Sequence, residues 1–407
     1  GVLIHFDMPV YQPDYNFRNW GTHPDASVFN PTELNTDQWL ETAHKLGAKY
    51  AVLVAKHCSG FSLWPTEAHD YSIKQSPWKN GEGDIVADFI ASCKKYNIKP
   101  GIYASTTANG YLYVDNPGVV QEGGPVSQEE YNKIVTQQLT ELWSNYGELF
   151  EIWFDGGVLS KEQGGADVLS LVQKLQPNAI AFQGPYGHPN LVRWVGNEEG
   201  VAPYPCWSTA DSTTNADGTR VINGLNGDPF APFWCPGESD FTLRWNRSFQ
   251  GGWFWTAGQD SMMFDIPELL TKYETSVGRN TNMLLGLVVN DKGLIPDADV
   301  LQIETLGKEI VRQYGTPLQQ ASGTLGHGHP ERRCRNRICQ QRLLRRRDDS
   351  VAVSGRAGRL RHGHPAGRFH HEGHHPRPDD VCQRAADRLR RLRRTDAGEL
   401  GDAGCGL

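Results

Sequence analysis

Two carboxylate-bearing segments stand out as places where chemistry could occur. They are Trp153-Phe154-Asp155-Gly156-Gly157 and Arg193-Trp194-Val195-Gly196-Asn197-Glu198-Glu199-Gly200. Other reactive types end neighbouring apolar runs: His5 after Val2-Leu3-Ile4, His57 after Tyr50–Lys56, and Tyr103 at the close of Ile98–Tyr103. Glu238 follows in a Pro/Gly-rich stretch read as irregular, and the segment 1–330 is rich in aromatic side chains. Such an inventory suits hydrolysis of a glycosidic bond. That reaction needs one carboxyl group to attack or activate water and another to protonate the leaving oxygen. Aromatic rings stack on the apolar face of a sugar, while His, Tyr and Arg donate to its hydroxyls.

Each residue also has an ordinary structural reading. A single His at a strand end is commonly a hydrogen-bonded core residue, and Asp before Gly-Gly is a turn-former. Glu198 and Glu199 would by default be solvated loop charges, and Lys56 is read as structural. A metal site among His5, His57 and His69 is not favoured, because no i,i+4 pair or HExxH pattern links them. Neither a metal nor a cofactor is therefore expected.

The elements that must position these residues alternate. Strand-like runs cover Val2–Phe6, Tyr50–Ala55, Ile98–Tyr103, Phe150–Phe154, Ala179–Phe182, Val192–Val195, Gly252–Thr256 and Met283–Val289. Helical spacing predicts helices over Thr36–Leu46, Ile85–Tyr96, Ser127–Tyr146, Val168–Leu175, Pro267–Ser276 and Asp299–Tyr314. Strands separated by helices imply a parallel sheet, and this many units fit a (β/α)8-like TIM barrel better than an open sheet. In such barrels reactive groups gather at the C-terminal ends of the strands, which is where these candidates fall.

Composition divides the chain. Of its 407 residues, 1–330 hold all 12 Trp, all 14 Tyr and every Lys, with a formal charge of −16. Residues 331–407 hold 19 Arg and no Lys, and carry +9. The acidic front part is unsuited to nucleic acid, and no apolar run approaches the roughly 18 residues of a membrane span. The eight Cys show no zinc-type spacing, and a Cys206–Cys235 bridge is one open pairing. Asn246-Arg247-Ser248 is the sole glycosylation-type triplet. With neither an initiator Met nor a signal peptide, the chain reads as trimmed, and a secreted or periplasmic location is the expectation.

The ordered markers IHF (4–6), FNP (29–31), AKHCSGFSLWPT (55–66), GIYAS (101–105), WFDGG (153–157), RWVGNEEG (193–200), GWFW (252–255) and SVGRNTNMLL (276–285) resemble glycoside hydrolase family 29, the retaining α-L-fucosidases. The resemblance covers most of residues 1–316. Its KH-x-SGF-x-LWPT form looks like the subfamily selective for α-1,3/1,4-linked fucose. It implies Asp155 as nucleophile and Glu198 as acid/base, with Glu238 the alternative. It also implies His5, Trp20, His57, Tyr103, Arg193, Trp253 and Trp255 as substrate-binding residues. The substrate would be a fucosylated oligosaccharide or glycoconjugate, with transfucosylation as a side activity. Two positions depart from the pattern: Cys58 replaces a His, and Asn19-Trp20 stands where Glu-Trp is expected. Another retaining exo-glycosidase, or a silent glycan-binding protein, are the competing readings. A family member would continue into a β-sandwich, yet 317–407 is Arg-, Gly- and His-rich without strand alternation. A frameshifted remnant of that sandwich is the expectation, a genuine Arg-rich tail that binds polyanions the other open reading, and translating the neighbouring frame decides between them.

Overall fold

The computed structural model describes residues 1–316 apart from 215–219, 224 and 246–250. The tail 317–407 and the Asn246-Arg247-Ser248 triplet lie outside the described residues. Eight parallel strands close into a barrel in simple chain order. They are β1 (Val2–His5), β2 (Tyr50–Lys56), β3 (Lys99–Ala104), β4 (Glu151–Trp153), β5 (Ile180–Phe182), β6 (Leu191–Trp194), β7 (Gly237–Thr242) and β8 (Thr281–Val288). Closure is visible at Val2, which pairs with Ala51 of β2 on one side and Leu285 of β8 on the other. The expected (β/α)8-like barrel is thus the fold.

Six helices pack outside: α1 (Thr36–Leu46), α2 (Ile85–Tyr96), α3 (Gln128–Ser144), α4 (Val168–Leu175), α5 (Ile266–Ser276) and α6 (Asp297–Tyr314). Their starts are set by side chains that satisfy the orphan N–H groups of a first turn. Ser127 and Glu130 form a reciprocal capping box on α3, and Asp265 and Glu268 form one on α5. Two units depart from the regular repeat. A loop alone joins β5 to β6, and a three-stranded antiparallel sheet (209–214, 220–223 and 233–234) occupies the β6–β7 crossover.

Alternation along the strands sorts side chains into two cores. Leu3, Val52, Val54, Tyr103, Trp153, Phe182, Val192 and Leu284 fill the barrel interior. Ile4, Leu53, Ile102 and Ile152 face outward against helix residues such as Trp39, Phe89 and Leu139. The sequence reading errs at one strand. Gly252–Thr256 is not a strand but a turn and loop, and the seventh strand is Gly237–Thr242, expected to be irregular. No helix of the described residues is long and apolar enough to cross a membrane.

Just past β7, Arg244 ties this side of the barrel to α6. Its guanidinium donates to both Asp299 oxygens at 3.0 and 2.6 Å, and to Asp260 at 2.8 Å. Arg244 and Asp299 are only 3% and 1% exposed. Breaking a buried pair from one side leaves an uncompensated charge. Asp299→Ala is therefore expected to cost about 3 kcal/mol, the low end for such pairs because Asp260 still shares the charge. A lower urea midpoint with unchanged slope checks this; an unchanged midpoint contradicts it.

Candidate active site

The strand ends deliver their side chains to one mouth. His5 closes β1, and its ring centroid lies 4.8 Å from Trp253, 5.4 Å from Phe254 and 6.0 Å from His57. His57 follows β2 and stacks on Tyr103 at 5.6 Å with an interplanar angle of 17°. Tyr103 of β3 donates its hydroxyl to Asp155 Oδ2 at 2.9 Å. In the segment after β6, Glu198 Oε2 accepts the Trp253 Nε1–H at 3.0 Å. An unbroken set of contacts therefore runs Asp155, Tyr103, His57, His5, Trp253, Glu198. It links carboxylates carried by β4 and β6 through residues of β3, β2, β1 and the β7–α5 loop.

Local sequence explains why the two carboxylates stand where they do. After Trp153 the chain must turn at once to leave Asp155 at the rim. Gly156 and Gly157 supply this with φ of 70° and 86°, a region that favours glycine. Thr107 Oγ1 donates to the Asp155 carbonyl at 2.6 Å, and Gly156 N–H donates to Gln183 Oε1 at 3.1 Å. The Glu198 loop is held by Asn197, whose Oδ1 accepts from Glu199 N–H at 3.0 Å and whose Nδ2 donates to the Val201 carbonyl at 2.9 Å. A backbone bridge from Glu199 to Phe241 fixes it beside β7.

Burial sets the charge states. It pushes the Asp155 carboxyl above its ordinary value, while the Tyr103 hydroxyl holds it back. Desolvation lowers His57 to about 4 and drives His5 well down, with His57 adding to the latter. Both imidazoles are neutral near pH 7, and His5 Nδ1 has no partner among the described residues. Neutral rings with free nitrogens suit hydroxyl groups better than anions.

Several expected residues stand elsewhere. Glu238 is not in a loop at the mouth. It lies inside the barrel on β7, fully buried, accepting from Tyr50 at 2.6 Å and from Trp153 Nε1 at 3.0 Å. Trp153 precedes Asp155 by two residues, so Glu238 sits deeper than the rim. Arg193 points outward because Val192 and Trp194, its neighbours on β6, point in. Its guanidinium donates to the carbonyls of Cys235 and Trp207 and does not reach Glu198. Cys206 and Cys235 flank it as free thiols rather than a bridge. Trp255 donates to Asp260 at 3.1 Å, away from His5 and His57. Trp20 stacks on Tyr113 at 5.6 Å, and Lys56 is buried against Gln138 at 3.0 Å. His69 hydrogen-bonds Gln138 at 2.7 Å and does not join His5 and His57.

Other groups at the mouth escaped the sequence reading. Phe254 packs edge-on against both His5 and His57. Asp240 accepts from Trp194 Nε1 at 2.6 Å, and burial, with repulsion from Glu198 and Glu238, pushes it up to about 8. Asp7 accepts from Ser59 Oγ at 2.6 Å and is pushed up to about 7, again by burial. The Glu-x-Asp spacing at 238 and 240 was the available signal for two carboxyls on one strand face. Finally, donor atoms of His57, Cys58 and Asp155 all lie within 4.8 Å of one another.

A closed parallel barrel with two carboxylates, neutral imidazoles and aromatic rings at its C-terminal mouth has the architecture of the barrel glycoside hydrolases. Comparison with known proteins narrows this class. The Alpha-L-fucosidase family profile matches residues 3–315. Alpha-L-fucosidase 1 of Arabidopsis thaliana is 37% identical over 312 residues, covering 74% of this chain and 56% of the relative. A rice relative (Oryza sativa subsp. japonica) is 34% identical, covering 74% of this chain and 54% of its own length. A solved alpha-L-fucosidase-family structure from Bacteroides thetaiotaomicron superposes with a TM-score of 0.70 at 35% identity, covering 78% and 74% of the two chains. The chain belongs to the α-L-fucosidase family. It spans about half the length of the curated plant relatives it matches.

Proposed function

We propose that the protein is an exo-acting α-L-fucosidase, releasing terminal α-1,3/1,4-linked L-fucose from oligosaccharides or glycoconjugates by double displacement with retention. Asp155 attacks the anomeric carbon while Glu198 protonates the leaving oxygen. Glu198 then takes a proton from the water that hydrolyses the fucosyl–Asp155 ester. An acceptor hydroxyl in place of that water gives transfucosylation. The observation that carries this reading is the continuous rim from Asp155 through Tyr103, His57, His5 and Trp253 to Glu198. His5, His57 and Tyr103 bind the fucose hydroxyls, and Trp253 with Phe254 faces its ring and methyl group.

A cavity of about 350 Å³ adjoins Asp155 through Gly156 and Gly157, and is lined further by Gln183, Leu191, Trp194 and Leu225. Its mixed lining suits the sugar that carries the fucose. Residues 1–316 are the catalytic unit in this proposal, 317–407 a frameshifted remnant of a further domain, and the location secreted or periplasmic. The test is product analysis on defined α-1,2-, α-1,3- and α-1,4-fucosylated oligosaccharides, with NMR of the first-formed fucose anomer. The expected result is α-L-fucose from the 1,3- and 1,4-linked substrates. β-L-fucose as the first product would overturn retention, and cleavage confined to α-1,2 would overturn the linkage.

A further inference from the structure

His57, Cys58 and Asp155 bring three different donor atoms together from two strand ends. A ring nitrogen, the thiol sulfur and a carboxylate oxygen all lie within 4.8 Å of one another. We infer that this triad is a binding site for a thiophilic divalent cation of the zinc or cadmium type, and that the bound cation blocks the fucose site. The blocking half rests on the reading of Asp155 as nucleophile; the binding half does not.

Imidazole, thiolate and carboxylate are the three donor types that zinc takes. Bonds of about 2.0–2.3 Å place donors on a tetrahedral ion roughly 3.5 Å apart. Closing the triad from 4.8 Å therefore needs side-chain movements of about 1 Å. The side chains are free to make them. The His57 ring has no hydrogen bond to a described residue, and Tyr103 engages only Oδ2 of Asp155. A cavity of about 220 Å³, lined by Tyr15, Phe17, His57, Cys58 and Phe254, reaches two of the three donor residues, His57 and Cys58. Burial keeps the Cys58 thiol protonated, its pKa raised further by Asp155 and Asp7 and lowered by Arg18 and Lys56. As the sulfur–metal bond forms, the S–H bond breaks and its proton passes to bulk water. Water completes the coordination. An ion so placed neutralises the Asp155 carboxylate and occupies the space of the anomeric carbon.

The probe is Cd²⁺ titrated into the full chain, read by the ultraviolet thiolate-to-cadmium charge-transfer band. In parallel, Zn²⁺ is tested as an inhibitor of aryl α-L-fucoside hydrolysis. The expected result is a saturable one-site band, reversed by chelator and suppressed by excess L-fucose, together with inhibition competitive with substrate. Cys58→Ser and Cys58→Ala should lose that band and weaken Zn²⁺ inhibition at least about 10-fold, while keeping uninhibited turnover. Two small replacements guard against one that does not fold. Undiminished Cd²⁺ binding in both variants would overturn the site, because the thiolate would then be another cysteine. Inhibition that leaves KM unchanged would overturn the blocking. If the wild-type chain releases no fucose, the charge-transfer band and its loss in the Cys58 variants still decide the cation site.

Discussion

Asp155→Ala is expected to lower kcat/KM on an aryl α-L-fucoside by at least about 10⁴-fold, some 5.5 kcal/mol of transition-state stabilisation. The reason is geometric. Asp155 is a short carboxylate whose backbone carbonyl is anchored by Thr107 and whose Oδ2 accepts from the Tyr103 hydroxyl, leaving Oδ1 without a hydrogen bond to a described residue. Among the described residues no other carboxylate accepts from the Tyr103 hydroxyl. Removing it opens room for a small anion, and azide should restore turnover by attacking the same face of the sugar. The product would be β-L-fucosyl azide, inverted because a single displacement replaces two. Relief of the buried Asp155 charge offsets the loss of the acceptor for the buried Tyr103 hydroxyl, so the variant should unfold near the wild-type temperature. Thermal unfolding separates loss of chemistry from loss of structure. Substantial activity without azide, or an α-configured azide product, would remove Asp155 from the mechanism. The pH profile follows from the same shift. The nucleophile must be ionised, and its folded pKa is raised above the usual 3.9 or so. Activity is therefore lost on acidification at a higher pH than an exposed Asp would give. His57, lowered to about 4, stays neutral over the range near neutrality.

Where the sequence could be read, physics explains why. Helices α1, α2 and α4 match the residues expected from apolar spacing, because each buries one stripe against strands that are themselves apolar. Strand β2 was legible as a continuous apolar run and β3 as a strand following helix α2, and knowing their ends was enough to find His57 and Tyr103. Strand β7 was not, because Gly-Glu-Ser-Asp-Phe-Thr carries carboxyls into the barrel interior, where Tyr50, Trp153 and Trp194 supply hydrogen bonds. A hydrophobic pattern cannot report a polar interior. The converse error occurred at Gly252–Thr256, whose aromatic run resembles a strand. There Gly251 and Gly252 have φ of 61° and 81°, and the rings pack on the mouth and its surroundings instead of pairing in a sheet. The partners of Arg193 and Trp255 were not legible for related reasons. One depends on which way a strand residue points, the other on a loop path, and spacing fixes neither.

Glu198→Ala carries the second large effect, and its signature differs from that of Asp155→Ala. On an oligosaccharide, whose leaving alkoxide needs a proton, kcat/KM should fall about 10²–10⁴-fold. On an aryl fucoside with an acidic phenol, formation of the fucosyl–Asp155 ester needs no acid and should survive. Its hydrolysis still needs the base, so a burst of phenol followed by slow turnover is expected. Azide, which needs no deprotonation, should then discharge the ester and yield α-L-fucosyl azide, with configuration retained because Asp155 still makes the first displacement. The same experiment discriminates against Glu238. That residue accepts hydrogen bonds from Tyr50 and Trp153 inside the barrel, so Glu238→Ala leaves two buried donors unpaired. It should lower thermal stability without a burst or azide rescue. A burst with rescue in Glu238→Ala, and none in Glu198→Ala, would reverse the assignment. Stereochemistry adds a check that rates cannot give. Opposite azide anomers from Asp155→Ala and Glu198→Ala are what two carboxylates serving one anomeric carbon in sequence require.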